Sequence, residues 1–405
     1  MMVCDGAGGR PEVGSEEARV LLTRNSVVIL AATFCYLTSM MLANPLVAGF
    51  AATLGAGAVL MGFLTASMNV CSILVRPFAG NLTDRLPRRA LAGAGAALMC
   101  ATAVGQALAP STFLLAVMRL AGGAGYSLCS VCMSTWFAST LPLSRVGQGM
   151  GIFGLMNALG MAVGPALGIA VSDAVGYRPA LGLSALFAGL SLVGILLVRD
   201  PGRPAGQDDA GGEKDERGGR ARVRLLDRRA VPAALVVALF TVPYMATQSF
   251  LVSYAEARGL DVPTGAFFTV YAVALMALRL CLGRAFDRVG FRTFVLASGA
   301  STVACLGLLS VMRGPVGLLL AAPLMAGGYG VMCSVCQSAA VRAVGPEHAG
   351  LANSTYYMGF DAGMIAGPVV GGALFGGVDL AWFFPALMLT VPLAIAVCRV
   401  AERRA

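Results

Sequence analysis

The 405-residue chain contains one histidine, His348, one lysine, Lys214, and two tryptophans, and only 12% of its residues are charged. Each shortage removes a class of function. An enzyme needs a nucleophile, metal ligands or paired acids at one place, and a single loop histidine with one deep carboxylate offers little material for that. Charge this sparse lies far below the rough quarter found in soluble domains, while apolar residues reach 58%. The net charge of +9 is carried almost entirely by arginines beside apolar runs. That pattern is a topological signature, so no nucleic-acid partner is expected. No connection is long enough for a folded sensory domain, the longest being residues 199–229. The first 25 residues mix both signs and precede an apolar run too long for a secretory h-region, so no cleaved signal peptide is expected.

What is abundant is glycine, 52 residues, with 19 prolines and 11 cysteines. Membrane helices tolerate glycine and proline because neighbouring helices satisfy the freed backbone groups. All the cysteines but Cys4 fall in or beside apolar runs, where thiols behave as small hydrophobes. Cys129-x-x-Cys132 and Cys333-x-x-Cys336 are read in the same way, not as metal or redox pairs, and no metal site is expected.

Apolar stretches of about twenty residues, the length that crosses ~30 Å of hydrocarbon, recur along the chain. Twelve are expected, near 26–48, 57–79, 90–109, 112–138, 148–174 and 179–198, then 230–254, 265–283, 292–312, 315–341, 350–376 and 379–399. The organisation is a tail over 1–25, a six-helix half over 26–198, a charged linker over 199–229, a second half over 230–399 and a tail over 400–405. Within the linker, Arg220 to Arg229 is basic with a small apolar side, as a segment lying on an anionic surface or a plain solvated linker would be. With both termini and the linker in the cytoplasm, only Arg178, Arg258 and Arg313 fall outside, and Arg119 lies within a helix. This is the positive-inside pattern of a multi-pass inner-membrane protein with both termini cytoplasmic.

The two halves repeat. Gly80-Asn-Leu-Thr-Asp84-Arg85-Leu-Pro-Arg88-Arg89, read as a charged hinge after the second segment, returns as Gly283-Arg-Ala-Phe-Asp287-Arg288-Val-Gly-Phe-Arg292. Gly160, Gly164, Pro165 and Gly168 return, also 203 positions on, as Gly363, Gly367, Pro368 and Gly371. Six helices followed by six in the same orientation form a parallel repeat.

A two-half, twelve-helix chain with Gly-x-Leu-x-Asp-Arg-x-x-Arg-Arg after its second helix resembles the major facilitator superfamily of secondary transporters, over essentially its whole length. Pro87 stands where the family pattern has glycine. Gly151-x8-Gly160-x3-Gly164-Pro165-x2-Gly168 resembles the motif of proton-coupled drug antiporters, with Ile169 replacing its last glycine. Arg119, followed by Gly123 and Gly125, resembles the family's intramembrane arginine motif. The resemblance implies an all-α integral membrane fold that works by alternating access. It implies a small-molecule substrate, a lipid bilayer as surroundings, no cofactor beyond the proton gradient, and a monomer. It also implies a latch, in which Asp84 faces the N-terminal end of the eleventh helix, with Gly80, Arg85, Arg88 and Arg89 around it, and in which Gly283, Asp287, Arg288 and Arg292 repeat the contact against the fifth helix. Proton-coupled export of an apolar or amphipathic compound is the expected activity, with proton-coupled import of a metabolite or a non-transporting sensor as alternatives.

Glycines at 160, 164 and 168, and at 363, 367 and 371, make smooth stripes, read here as sliding surfaces between the halves or as ordinary small-residue packing, with Pro165 and Pro368 free to bend the helices. Asp361 lies about 16 Å into its helix by the ~1.5 Å rise, near the midplane, where an ionised carboxylate is costly. It is the expected proton-coupling or substrate residue, pointing about 200° away from Gly363 at ~100° per residue, into the second half or the central cavity. Arg119 cannot lose its proton and needs an anion, cavity water or a structural role. Arg76 and Arg279, repeat-related, are expected to snorkel at cytoplasmic helix ends. Asn44, Ser127, Tyr244, Gln248 and Gln337 are the candidate polar groups of the cavity.

Overall fold

The computed structural model describes residues 23–142, 145–198, 225–282 and 285–403, and there the regular structure is helical with no strand. Hydrocarbon offers no partner to a free N–H or C=O, so so apolar a chain closes its backbone hydrogen bonds within helices. In chain order the spanning helices are α1 (Arg24–Ala43), α2 (Ala58–Arg85), α3 (Arg88–Leu108), α4 (Thr112–Ser139), α5 (Val146–Val175) and α6 (Tyr177–Leu197). The second set is α7 (Val231–Ala257), α8 (Thr264–Leu282), α9 (Phe291–Val311), α10 (Pro315–Val344), α11 (Ala349–Gly377) and α12 (Leu380–Glu402). Among the described residues eleven of these are long and apolar enough to cross a bilayer, and α8 is the shorter twelfth. The expected N-terminal tail up to residue 22 and the linker up to residue 224 lie outside the described residues.

Three local departures from the sequence reading have physical causes. The first segment does not run through to residue 48: α1 stops at Ala43, and a short helix, Leu46–Thr53, follows. Pro45, which has no N–H and clashes with the preceding turn, makes the break. The charged motif is not a hinge over its whole length. α2 runs through Pro77 and the first six motif residues to Arg85, and only Leu86 and Pro87 connect it to α3. Pro87 forces Leu86 out of the helical region, to φ −103° and ψ 157°. Finally, α10 widens into a π turn over Ala326–Gly330, which no periodicity announces.

The packing repeats along with the sequence. α1 packs on α5 and α6, as α7 packs on α11 and α12, and α3 pairs with α4 as α9 does with α10. The outward surface is apolar, with Leu74, Phe78, Phe113, Leu197, Val273 and Val311 more than half exposed, as a lipid-facing surface requires. The halves meet where α2 crosses α11 and where α5 crosses α8 and α10. The described hydrogen bonds between the halves all lie from mid-bundle, at Asp361, toward the α2–α3 end. The molecule is therefore bolted together on that side.

Candidate functional site

At the α2–α11 crossing, Arg76 Nε donates to Asp361 Oδ2 at 2.5 Å and Nη2 donates to Oδ1 at 2.9 Å. The pair joins the two halves and is sealed, with exposures of 0% and 1%. Ser72 Oγ adds a hydrogen bond to Oδ2 at 3.2 Å, and Arg76 Nη1 donates to Ser130 Oγ on α4 at 2.8 Å. The guanidinium also lies between aromatic faces, 5.4 Å from the Tyr126 ring centroid and 4.5 Å from that of Tyr357. Such a pair repays the desolvation of its charges only through fork-to-fork geometry with further hydrogen bonds, and this one has both.

Two expectations are corrected here. Arg76 does not snorkel: it sits eight residues, about 12 Å, inward of Asp84, and its charge is neutralised there. Asp361 does point away from Gly363 and toward the opposite half, not into the interior of its own, but it meets α2 there in a sealed contact instead of an open central cavity. Sequence reasoning missed the pairing because 285 positions separate the partners. The available signal was depth, since an arginine that far from the surface needs an anion.

Outward from the pair, Ser354 Oγ donates to the carbonyl of Arg76 at 2.5 Å. Asp84 then accepts the backbone N–H groups of Gly350 at 2.8 Å and Leu351 at 3.0 Å, in the first turn of α11. A carboxylate suits that helix end, whose free N–H groups and dipole favour negative charge. Gly80 allows the approach, because a Cβ there would lie 2.6 Å from Ser354 Cβ and 3.1 Å from the Gly350 carbonyl. Two arginines of the motif serve their own half. Arg88 donates to Ser139 Oγ at the end of α4, and Arg89 to the Leu196 carbonyl in the last turn of α6. Arg85 is exposed.

In the repeat-related motif, Gly283 and the Asp287 side chain lie outside the described residues. Arg288 is exposed, and Arg292 faces Glu402 of α12 at 3.8 Å, a wet pair within one half that contributes little.

The glycine stripes are not sliding surfaces between the halves. A Cβ at Gly160 would lie 2.9 Å from Leu37 Cβ, and one at Gly164 would lie 2.7 Å from Met41 Cβ, both on α1. A Cβ on Gly168 would press on the Leu42 carbonyl, and Gly363, Gly367 and Gly371 stand in the same way against Thr241, Met245 and Phe250 of α7. Each stripe welds its helix to the first helix of its own half, which is what close backbone approach achieves. Pro165 and Pro368 lie inside continuous helices.

Arg119 is buried in the first half and does not meet Asp361. Its Nε donates to the Leu64 carbonyl at 3.3 Å, and Nη2 donates to the Thr65 carbonyl and to Asn44 Oδ1, both at 3.0 Å. Nη1 has no protein partner and borders a cavity of about 20 Å³, room for roughly one water, beside Thr102 and Gln106. Arg119 thus ties α4 to α2 and to the end of α1.

Of the cavity candidates, Asn44 is engaged by Arg119. Ser127 and Tyr244 are buried, the latter stacked on Tyr329 with ring centroids 4.0 Å apart. Gln337 donates to Asn353, which in turn donates to Thr135 across the halves. Gln248 alone of the five is exposed.

The family profile described as Major Facilitator Superfamily matches residues 29–368 and, overlapping, 264–404. Among curated relatives, the putative metabolite transport protein YwtG of Bacillus subtilis is 30% identical over 37% of this chain and 33% of its own length, so the match spans about a third of that protein. A multi-drug resistance efflux pump PmrA homolog of Lactococcus lactis is 23% identical over 76% of this chain and 77% of that protein. Among solved structures, the human organic anion transporter MFSD10 (TETRAN) superposes with a TM-score of 0.73 at 18% identity, covering 92% of this chain and 98% of that one.

Proposed function

From its membership of the major facilitator superfamily, we infer that this multi-pass membrane protein is an alternating-access transporter in which Asp361 carries the coupling proton. The observation that carries the reading is the sealed Arg76–Asp361 pair between the halves. While Asp361 is ionised, separating the halves on the α2–α3 side breaks two charge-assisted hydrogen bonds; once it is protonated, Arg76 loses its counter-ion and gains by opening toward water. A proton therefore biases the molecule toward opening on that side, and its release with substrate loading biases the return. Each ligand has the state-dependent affinity that coupling requires.

The arginine distribution supports placing the α2–α3 side, with both termini, in the cytoplasm of the cell membrane. Export of a small amphipathic compound then follows if substrate is gathered from the cytoplasmic side, a direction supported by the similarity to an efflux pump. Asp84 of α2, held by the first-turn amides of α11, acts as the lock at the rim of the closed side, and Arg119 acts as a brace. The domains of motion are residues 26–198 and 230–399, acting as a monomer with no cofactor beyond the proton gradient.

The test is growth inhibition across a diverse toxin panel in exporter-deficient cells carrying wild type, Asp361→Asn or empty vector at matched membrane levels. Protection by wild type alone is the expected result. Protection equal in the mutant removes the coupling assignment, and absence of protection by either points to import.

A further inference from the structure

The repeat places a second arginine where Arg76 has its counterpart. Arg279, 203 positions on, lies on α8 and faces α5 of the opposite half, as Arg76 on α2 faces α11. The position equivalent to Asp361, however, is Ala158 on α5. Ala158 packs against the aromatic cluster of the second half, so the carboxylate is absent from the place where the symmetry calls for one.

The consequence for Arg279 is visible. It is 7% exposed, and its guanidinium has one hydrogen bond, from Nη2 to the Gly330 carbonyl of the π turn at 3.1 Å. Nε and Nη1, three of its five N–H donors, have no partner. Ser334 Oγ is likewise buried and unpartnered. Gly154 on α5 brings the cluster together, since a Cβ there would meet both Arg279 Nη1 and Ser334 Oγ. Of the other two buried arginines, Arg76 is paired with a carboxylate, and Arg119 spends Nε and Nη2 on three neutral oxygens, leaving only Nη1 without a protein partner, beside a cavity with room for roughly one water. A buried guanidinium with unused donors is costly, and the cost falls when an anion arrives.

We propose that Arg279 receives the carboxylate of an amphipathic organic monoanion, which at the α5–α8 crossing takes the part that Asp361 plays at the α2–α11 crossing. The proposal rests on the transporter reading and names its substrate class. One guanidinium with no second unpaired cation beside it among the described residues neutralises one charge, which fits a carboxylate better than a dianion. Its planar fork matches a carboxylate in two-point fashion. The body of the ligand is apolar and aromatic, because Ala158, at the place of the missing carboxylate, packs against a cluster that holds Tyr271 and Tyr329. Tyr244 joins that group, its ring centroid 4.0 Å from that of Tyr329 and 5.2 Å from that of Tyr271. In the conformation described, α5 covers the cluster. Opening of the α2–α3 side withdraws α5 from α8 and uncovers the free donors, so the anion enters from that side. Its carboxylate then favours reclosure by giving the second crossing the charge pairing it lacks.

The test is thermal stabilisation of the purified full-length protein by 1-naphthylacetate, compared with its primary amide, which has the same shape without the charge. The expected result is binding of the carboxylate at least tenfold tighter than of the amide in wild type, reduced to parity in Arg279→Gln. Ala158→Asp supplies the missing carboxylate within the chain and should raise the melting temperature of the unliganded protein while abolishing the response to 1-naphthylacetate. Because Ala158→Asp is a gain of stability, misfolding cannot imitate it. Equal binding of amide and carboxylate, an undiminished response in Arg279→Gln, no response in wild type, or a lower melting temperature in Ala158→Asp overturns the proposal. The assay reads binding alone, so failure of the proton-coupling assignment in the toxin panel leaves this result standing, and the converse.

Discussion

Asp361→Asn should unlock the α2–α3 side. The substitution keeps the side-chain volume and one carbonyl acceptor but removes the charge, leaving Arg76 with Ser130 Oγ at 2.8 Å and the faces of Tyr126 and Tyr357. The lost partner accepted two charge-assisted hydrogen bonds, at 2.5 and 2.9 Å, in a site 0–1% exposed. Removing one member of such a pair costs about 3 kcal/mol, because the other is left buried and uncompensated. Opening lets Arg76 hydrate, so most of that cost is recovered in the open state, and the closed-to-open ratio should fall roughly 150-fold at 1.4 kcal/mol per decade. Hydrogen–deuterium exchange over residues 349–355 reads this directly, since the Gly350 and Leu351 amides are bonded to Asp84 only while that side is closed. Exchange there should accelerate by about two decades in Asp361→Asn and return most of the way in the double variant Arg76→Gln/Asp361→Asn, which strands no charge. Unchanged exchange in the single variant would refute the claim that the pair holds the halves together.

Asp84→Asn should loosen the same segment by about tenfold, the value of one anion at a helix N-terminus, and exchange over 349–352 measures it. Gly164→Val should lower the melting temperature by an amount equal to about 2 kcal/mol, because even a Cβ at Gly164 would lie 2.7 Å from Met41 Cβ; Gly93→Ala, where nothing lies within 4 Å, should cause no loss. Arg119→Lys should destabilise by about 2 kcal/mol in a thermal melt, since an ammonium cannot span the Leu64, Thr65 and Asn44 oxygens held by the guanidinium fork.

The spanning helices were legible because hydrocarbon imposes length and composition on every segment, and the repeat was legible because the same glycines and aspartates recur at a fixed offset. What the sequence hid was direction. A row of glycines at 160, 164 and 168 declares that something comes close, but an identical row would serve either half, and only the fold assigns it to α1. The partner of Arg76 is hidden for a related reason: a snorkelling arginine and a paired one share a composition and differ in the helix opposite. The comparison that exposes the difference is within the repeat, where two equivalent arginines are both buried and only Arg76 finds an aspartate opposite. The π turn at Ala326–Gly330 left no mark in the apolar pattern, because one added residue per turn shifts the faces without changing their character.

Helix α11 carries its three ties to α2 on one face, at Gly350, Ser354 and Asp361, in order of increasing depth. A bundle half that swings about a deep pivot does not meet these ties together. It peels them, the amide clasp at Asp84 first, the Ser354 hydroxyl next and the ion pair last. Peeling lets water take the place of each broken tie before the next is strained, so no single step of the swing bears the loss of all three at once, as a zip yields to a force that would never part its teeth together. The last tooth is the one whose grip a single proton can change.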